Sequence, residues 1–564
     1  MGTARLGPEY REAALHSAGE SELDVLVIGG GVVGAGAALD AASRGLSVAL
    51  VEARDWAAGT SSRSSKLIHG GLRYLEQRDF SLVREALKER GLLLRRLAPH
   101  LVRPVPFLLP LRHRVWERAY IGAGVLLYDT MGGARALPMH RHLSRAKALE
   151  LAPSLRPDAL TGAIRYYDAQ VDDARHTMMI ARTAAQHGAS VLTRARATGL
   201  LREGDRVAGA TVRDLENGRE ITVRARRVIS ATGVWTDELH QAAGAKAPFS
   251  VRMSKGVHLL VPRARIRLDT GLILRTEKSV LFVIPWGQHW IIGTTDTEWR
   301  LDKAHPSVSR ADLDYLLEHV NAVLRTPLTH EDIEGVYAGL RPLLAGTSAE
   351  TAQLSREHAV AEPAPGLFVV AGGKYTTYRV MAKDVVDAAV RGFGAAVPRS
   401  LTDRLPLLGA VGYAELLAQR EQVAADSGLP VHRIEHLLGR YGSAVRELLE
   451  LIRQRPELAE PIPGGQEYLK AEAVYAVTHE GALHLEDLLT RRMRISVEAA
   501  DRGLAAAPEV AQLVAPVLGW SAARTRREVE HYAERVRAEL AAQDAEDDLA
   551  ANTARLTAPE PVET

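Results

Sequence analysis

The chain has 564 residues, too many for one hydrophobic core, so two or three domains are expected. Its 71 basic and 69 acidic residues nearly cancel to +2, which leaves no global field to attract nucleic acid. There is no cysteine, so disulfides, iron–sulfur clusters, thiolate zinc sites and a redox-active cysteine pair are excluded, and any redox chemistry rests on an organic cofactor or a histidine/carboxylate metal site.

Residues 1–22 (MGTARLGPEYREAALHSAGESE) are polar and read as a flexible leader rather than a signal peptide. No apolar stretch is long enough to predict a membrane-spanning helix, which leaves peripheral attachment open. Residues 24–28 (DVLVI) predict a strand, 35–44 a helix and 47–52 (SVALVE) a second strand, the β–α–β unit of a parallel sheet. Residues 77–98 predict an amphipathic helix stopped by Pro99. A helix over 171–187 is followed by strands at 190–193, 207–214 and 220–224, and the run ITVRARRVIS opens onto Ala231-Thr232-Gly233. Between 250 and 300 short strands with turn signals suggest an antiparallel sheet, and 366–390 restores the strand–glycine–helix pattern. From about 405 helical spacing dominates (411–426, 432–453, 469–489, 526–543), with 456–465 as a linker and a polar, frayed tail.

Gly29-Gly30-Gly31-Val32-Val33-Gly34 stands between the first strand and its helix. Gly29 suits the tight turn, Gly31 the approach of a pyrophosphate, and Gly34 close helix–strand packing, while the helix N-terminus offers free N–H groups to phosphate. Glu52 ends the second strand where an acid accepts hydrogen bonds from a ribose. Three glycine-bearing strand ends (29–34, 231–233 and 371–373, the last containing Gly372 and Gly373) imply one extended ligand met by several parts of the chain, which suits an embedded FAD better than a dissociable nicotinamide. Thr60, Ser61, Ser62 and Ser65 supply hydroxyls just after the acid.

At SSRSSKLIHGGLRYLE (61–76), together with VIGGGVVGAGAALDAASRGLSVALVE (27–52), the chain closely resembles the FAD-dependent glycerol-3-phosphate dehydrogenases. The likeness continues through AQVDDARHTM (169–178), ATGVWTDEL (231–239), SKGVHLLVP (254–262), VLFVIPWGQHWIIGTTDTE (280–298), YAGLRPLL (337–344) and GGKYTTYR (372–379). It implies oxidation of sn-glycerol 3-phosphate to dihydroxyacetone phosphate by hydride transfer from C2 to flavin N5, with electrons passed to a membrane quinone. The expected fold is α/β: a Rossmann-type FAD-binding domain with an inserted antiparallel-sheet substrate domain, plus an all-α C-terminal domain. The expected boundaries are a leader at 1–22, a FAD-binding domain within 23–400 (roughly 23–100, 150–240 and 350–400) interleaved with a substrate or cap domain (roughly 100–150 and 240–350), a helical domain at 401–545 and a flexible tail at 546–564.

Such a substrate is a small dianion with a secondary alcohol, so it needs cations for the phosphate and a group to take the hydroxyl proton. Arg73, Arg341 and Lys374, with Arg356 a weaker match, are the expected phosphate ligands, and Tyr74 lines the same site. His258 is the expected base, with His69 its competitor; His69 and Gly70 are equally placed to touch the flavin edge. Lys66, and the dipole of a helix beginning near Thr376, would offset charge on the reduced ring, and Gly233 completes the cofactor set. His258, Arg341 and Lys374 form the expected catalytic group, with no metal. The stretch 103–129 combines basic, aromatic (Trp116) and apolar residues, which reads equally as an interfacial segment or as a core helix; the family resemblance tilts it to the inner membrane face, in the cytoplasm, with assembly as a homodimer left open. The alternatives are an oxidase delivering electrons to oxygen, disfavoured by the lack of a long insertion between GTTD (293–296) and GLRPLL (339–344), a flavin amine oxidase, and a non-enzymatic flavin-binding scaffold.

Overall fold

The computed structural model describes residues 5–71, 79–113, 116–131, 137–238, 249–276, 280–345, 357–394 and 396–558. The apolar run Leu23–Ile28 lies in the middle of an eight-stranded sheet and is buried along nearly its whole length, as a strand covered on both faces must be. It pairs in parallel with Val48–Val51 on one side and Glu220–Ser230 on the other; Ser190–Leu192 and Leu367–Gly372 extend the sheet outwards in the same direction. His358–Ala364 closes one edge antiparallel, and Ala195–Glu203 with Arg206–Asp214 form an antiparallel extension of Glu220–Ser230. Helices Val32–Ser43, Asp173–Gln186 and Tyr378–Ala389 bury one face.

The other face is partly covered by Pro8–Glu20, a helix where a flexible leader was expected. Ala14, Leu15 and Ala18 enter the core, and Arg11 reaches Asp214 with Nη2 at 2.5 Å from Oδ1. That helix carries few apolar residues and its anchor is an ion pair to a strand 203 residues away, so nothing local in the sequence marks it.

A second, ten-stranded sheet runs Thr297–Trp299, Val251–Pro262, His289–Gly293, Val280–Trp286, Gly271–Arg275, Val102–Leu111, Gly162–Val171 and Leu67–Ile68. Gly335–Leu344 joins Val251–Pro262, and Arg141–Ser144 joins Gly162–Val171. The pairs are antiparallel apart from Gly271–Arg275 beside Val102–Leu111. This sheet takes in Leu67–Ile68 and Gly162–Val171, which lie inside stretches expected to belong to the dinucleotide-binding part. The stretch 103–129 is divided: Val102–Leu111 is a strand of this sheet, and only Trp116–Met131 is a helix. The helix expected over 77–98 spans Phe80–Leu92 and widens into a π turn over Leu93–Leu97.

Beyond residue 400 the chain is helical, with a small hairpin of Pro461–Ile462 and Gly465–Leu469 that begins inside the expected linker 456–465 and runs past its end. The tail is not frayed through its length: Asp548–Arg555 is a helix packed on Ala522–Asp544, and Asp548 accepts from the buried Lys255 ammonium at 2.5 Å. The helical domain is tied to the rest by buried charge. Arg491 and Arg492 both reach Asp55, Arg494 reaches Asp172 and Asp173, and Arg175 pairs with Glu480 at 2.8 Å. Such pairs add little when intact but cost several kcal/mol when one partner is removed, so they lock the domain in register. No helix among the described residues is long and apolar enough to cross a membrane.

Candidate active site

A cavity of about 960 Å3 runs between the two sheets, and its walls come from nearly every segment singled out above. One end is the glycine turn. Gly29 has φ +111°, and a Cβ there would meet the carbonyl oxygen of Ala231 at 2.6 Å, so this position demands glycine. The Gly30 amide donates to Glu52 Oε2 at 2.6 Å and the Arg54 amide to Oε1 at 2.7 Å, which fixes the carboxylate on the cavity wall. Burial pushes the Glu52 carboxyl up, while the two amides hold it down. Gly31, Val32 and Val33 line the cavity at the helix N-terminus, and the Val32 amide donates to Ser61 Oγ at 2.9 Å.

Thr60, Ser61, Ser65, His69, Gly233, Gly372, Gly373 and Thr376 also face this space. Thr60 donates to the Leu340 carbonyl at 2.6 Å, and the His69 amide donates to Thr376 Oγ1 at 3.1 Å, which joins the loop 60–71 to both later segments. The helix there starts as a single turn, Tyr375–Thr377, before Tyr378–Ala389.

His258 lies on Val251–Pro262 opposite Gly293, where a Cβ would meet the ring at 2.2 Å; glycine makes room for the imidazole. Its other strand neighbour is Tyr337, whose ring stacks on the imidazole at 4.7 Å and 13°. His258 Nε2 is 2.8 Å from Ser65 Oγ, and Nδ1 has no hydrogen-bond partner among the described residues. Burial, then the charges of Arg341 and Lys66, holds its pKa well below the ordinary imidazole value. Burial likewise lowers His69 to about 4, helped by Lys374 and Arg90.

Arg341, on Gly335–Leu344, donates to Ser254 Oγ at 3.1 Å, Thr294 Oγ1 at 3.0 Å and the Thr295 carbonyl at 3.2 Å, and Asp296 lies 3.8 Å away. Thr294 and Asp296, from the GTTD run, line the cavity too, although nothing in their spacing marks them. The cavity wall holds six cationic side chains (Arg54, Arg63, Arg196, Arg275, Arg341, Lys374) against three carboxylates (Glu52, Glu238, Asp296) among the described residues, a balance that suits an anionic ligand.

Five expected cofactor contacts stand off this wall. Gly30 and Gly34 sit behind it: at Gly34 a Cβ would lie 1.8 Å from the Gly29 carbonyl oxygen, so its role is helix–strand packing. Ser62 offers its carbonyl to Lys66 Nζ, and the Gly70 amide is taken by Tyr128. Lys66 is a correction. Held at φ +58°, its ammonium turns from the cavity to Asp173 at 2.7 Å, and burial with the nearby Arg494 lowers its pKa to about 8. Arg73, Tyr74 and Arg356 lie outside the described residues.

The cavity is large enough for a dinucleotide, its glycine turn leaves no room for a side chain, and its charge suits a pyrophosphate; these features fit FAD. Residues 24–388 match the family described as FAD dependent oxidoreductase, and residues 400–525 match the C-terminal domain of alpha-glycerophosphate oxidase. Glycerol-3-phosphate dehydrogenase 2 of Mycobacterium tuberculosis (strain ATCC 25618 / H37Rv) is 60% identical over 557 residues, 99% of this chain and 95% of that protein. The mitochondrial glycerol-3-phosphate dehydrogenase of Homo sapiens is 37% identical over 93% of this chain and 74% of its own length. The crystal structure of the glycerol-3-phosphate dehydrogenase from Bacillus halodurans complexed with FAD superposes with a TM-score of 0.77, at 29% identity, over 94% of this chain and 98% of that one.

Proposed function

The chain belongs to the FAD-dependent glycerol-3-phosphate dehydrogenases, and on that premise we propose that it oxidises sn-glycerol 3-phosphate to dihydroxyacetone phosphate and passes the electrons to a membrane quinone. The observation that carries this reading is the meeting of the glycine turn, Glu52, His258, Arg341 and Lys374 on one cavity. Gly29, Gly31, Glu52 and Ser61 hold the dinucleotide part of FAD, and bound FAD supplies the acceptor for the electron pair leaving C2. Arg341 and Lys374 take the substrate phosphate, a guanidinium fork and a point charge respectively. Arg73, Tyr74 and Arg356 join them in this reading.

His258 takes the hydroxyl proton, so that alcohol minus hydride and proton leaves the ketone. Buried N–H groups without partners are rarer than buried acceptors without them. The neutral ring therefore keeps its proton on Nε2, facing Ser65, and offers the Nδ1 lone pair. Anaerobic addition of sn-glycerol 3-phosphate is expected to bleach the flavin absorbance, while glycerol at the same concentration leaves it oxidised. Equal bleaching by both would reject a phosphate site, and no bleaching by either would favour a flavin-binding scaffold.

For the acceptor, support comes from an apolar face. Tyr120, Leu126 and Leu127 on Trp116–Met131, with Met139, are 56, 48, 39 and 54% exposed, and the exposed cations Arg141, Arg145 and Lys147 follow along the chain. Apolar residues beside cations suit an anionic lipid surface. The double variant Leu126→Asp, Leu127→Asp is expected to slow reduction of a quinone embedded in anionic vesicles at least tenfold and to leave reduction of a water-soluble dye unchanged. Equal rates on vesicles would sink the membrane reading, and stoichiometric peroxide without quinone reduction would make the protein an oxidase.

A further inference from the structure

A second cavity, about 90 Å3, lies where the second sheet and the loop 62–66 meet the C-terminal helices. Six basic side chains line it (Arg63, Lys66, His305, Arg494, Arg535, Arg555), and Glu539 is the one carboxylate on its wall among the described residues. That carboxylate is shared: it accepts from Arg535 at 2.7 Å and lies 3.5 Å from Arg555 Nε. Lys66 and Arg494 turn towards Asp173, each at 2.7 Å, and Arg494 also reaches Asp172. Arg63 donates to the neutral Ala304 carbonyl at 3.3 Å, and the carboxylates that attract its charge, Glu486 and Glu539, are shared with Arg535 and Arg555.

Donors are also left over. The hydroxyls of Ser307 and Ser496, 4 and 5% exposed, and Nε of Arg535, 5% exposed, have no hydrogen-bond partner among the described residues. Buried polar groups are ordinarily satisfied, so three such donors on one positive wall point to a ligand that accepts. The volume is about that of three waters in the liquid, which suits a tetrahedral oxyanion and excludes a nucleotide. Guanidinium groups and hydroxyls together are the donors such an anion needs.

We propose that this cavity is a second anion site, taking inorganic phosphate or an oxyanion of its class, distinct from the place of the substrate phosphate. Its ligand bridges the loop 62–66, the second sheet and the C-terminal helices, and so holds three parts of the chain together. The site is one ring away from the catalytic group: Tyr337 lines the second cavity and stacks on His258, which lines the first.

The test is calorimetric titration of inorganic phosphate into Arg341→Ala holoenzyme at constant ionic strength, a background that removes the proposed substrate anchor. One saturable event is expected to remain. Its affinity falls at least tenfold when Ser307→Ala and Ser496→Ala are added together, and again when Arg555→Gln is added alone, with flavin content unchanged. In the same background sn-glycerol 3-phosphate, the same anion on a bulkier body, binds at least tenfold more weakly than phosphate. Absence of saturable phosphate binding in Arg341→Ala would overturn the proposal, as would affinity that both sets of variants leave intact. Should the serine variant lose its flavin, Arg555→Gln alone decides. Retention of tight sn-glycerol 3-phosphate binding in Arg341→Ala would instead count against the substrate reading, so the two failures are separable.

Discussion

Arg341→Ala is expected to lower kcat/KM for sn-glycerol 3-phosphate by about 10²- to 10⁴-fold. A guanidinium fork on a phosphate makes two charge-assisted hydrogen bonds, each contributing about 1.5–3 kcal/mol, and each 1.36 kcal/mol is about tenfold in rate. The side chain is well placed for such a loss to be specific. Its partners among the described residues include the Ser254 and Thr294 hydroxyls, the Thr295 carbonyl and Asp296 at 3.8 Å, and Asp296 keeps the hydrogen bond it accepts from the Ser254 hydroxyl when the guanidinium is removed. Arg341→Lys keeps the charge but loses the fork, and should recover only part of the affinity. The loss should fall mainly on KM, because the phosphate is held in ground state and transition state alike. Glycerol, which has no phosphate, should leave the flavin of both proteins oxidised. A loss below fivefold with flavin content intact would make Arg341 the wrong anchor.

The Rossmann unit was legible because all its information is local. Gly29, Gly31, Gly34 and Glu52 stand within one β–α–β stretch: Gly29 and Gly34 are pressed by that stretch and the strand end at Ala231, Glu52 accepts from the Gly30 amide, and Gly31 alone meets a side chain from beyond it, Ser61. What the sequence did not show depends on partners far along the chain. Pro8–Glu20 is placed by Asp214, and Asp548–Arg555 by Lys255, 293 residues away, so neither segment reads as structured on its own. Lys66 illustrates the same limit at the site. Its neighbours Ser65 and His69 do face the cavity, but a left-handed backbone and the carboxylate of Asp173 turn the ammonium the other way. The stacking of Tyr337 on His258 follows from strand register alone, which pairs two residues 79 positions apart, 337 less 258.

That stacking bears on the second large effect, at His258. His258→Gln is expected to lower kcat by about 10²- to 10⁴-fold, the usual contribution of a positioned general base. The wild-type kcat should stay flat from pH 8 down to 6, because burial and the charges of Arg341 and Lys66 keep the imidazole neutral well below its ordinary titration range. The bound complex is the right species to follow. kcat/KM also reports free substrate, whose phosphate takes its second proton near about pH 6. Stability sets the lower limit of the window. His69 and His176 are each lowered from 6.5 to about 4 by burial, so the unfolded chain binds more protons than the folded one between those values. Their contribution is complete above about pH 6.5 and is lost as pH falls towards 4. Activity lost below pH 6 is therefore unfolding until a melting curve shows otherwise. Above that limit, a wild-type kcat that halves near pH 6.5 would mean an ordinary, solvated imidazole. A His258→Gln variant within threefold of wild type would move the proton to another group, and His69 would be the next to substitute.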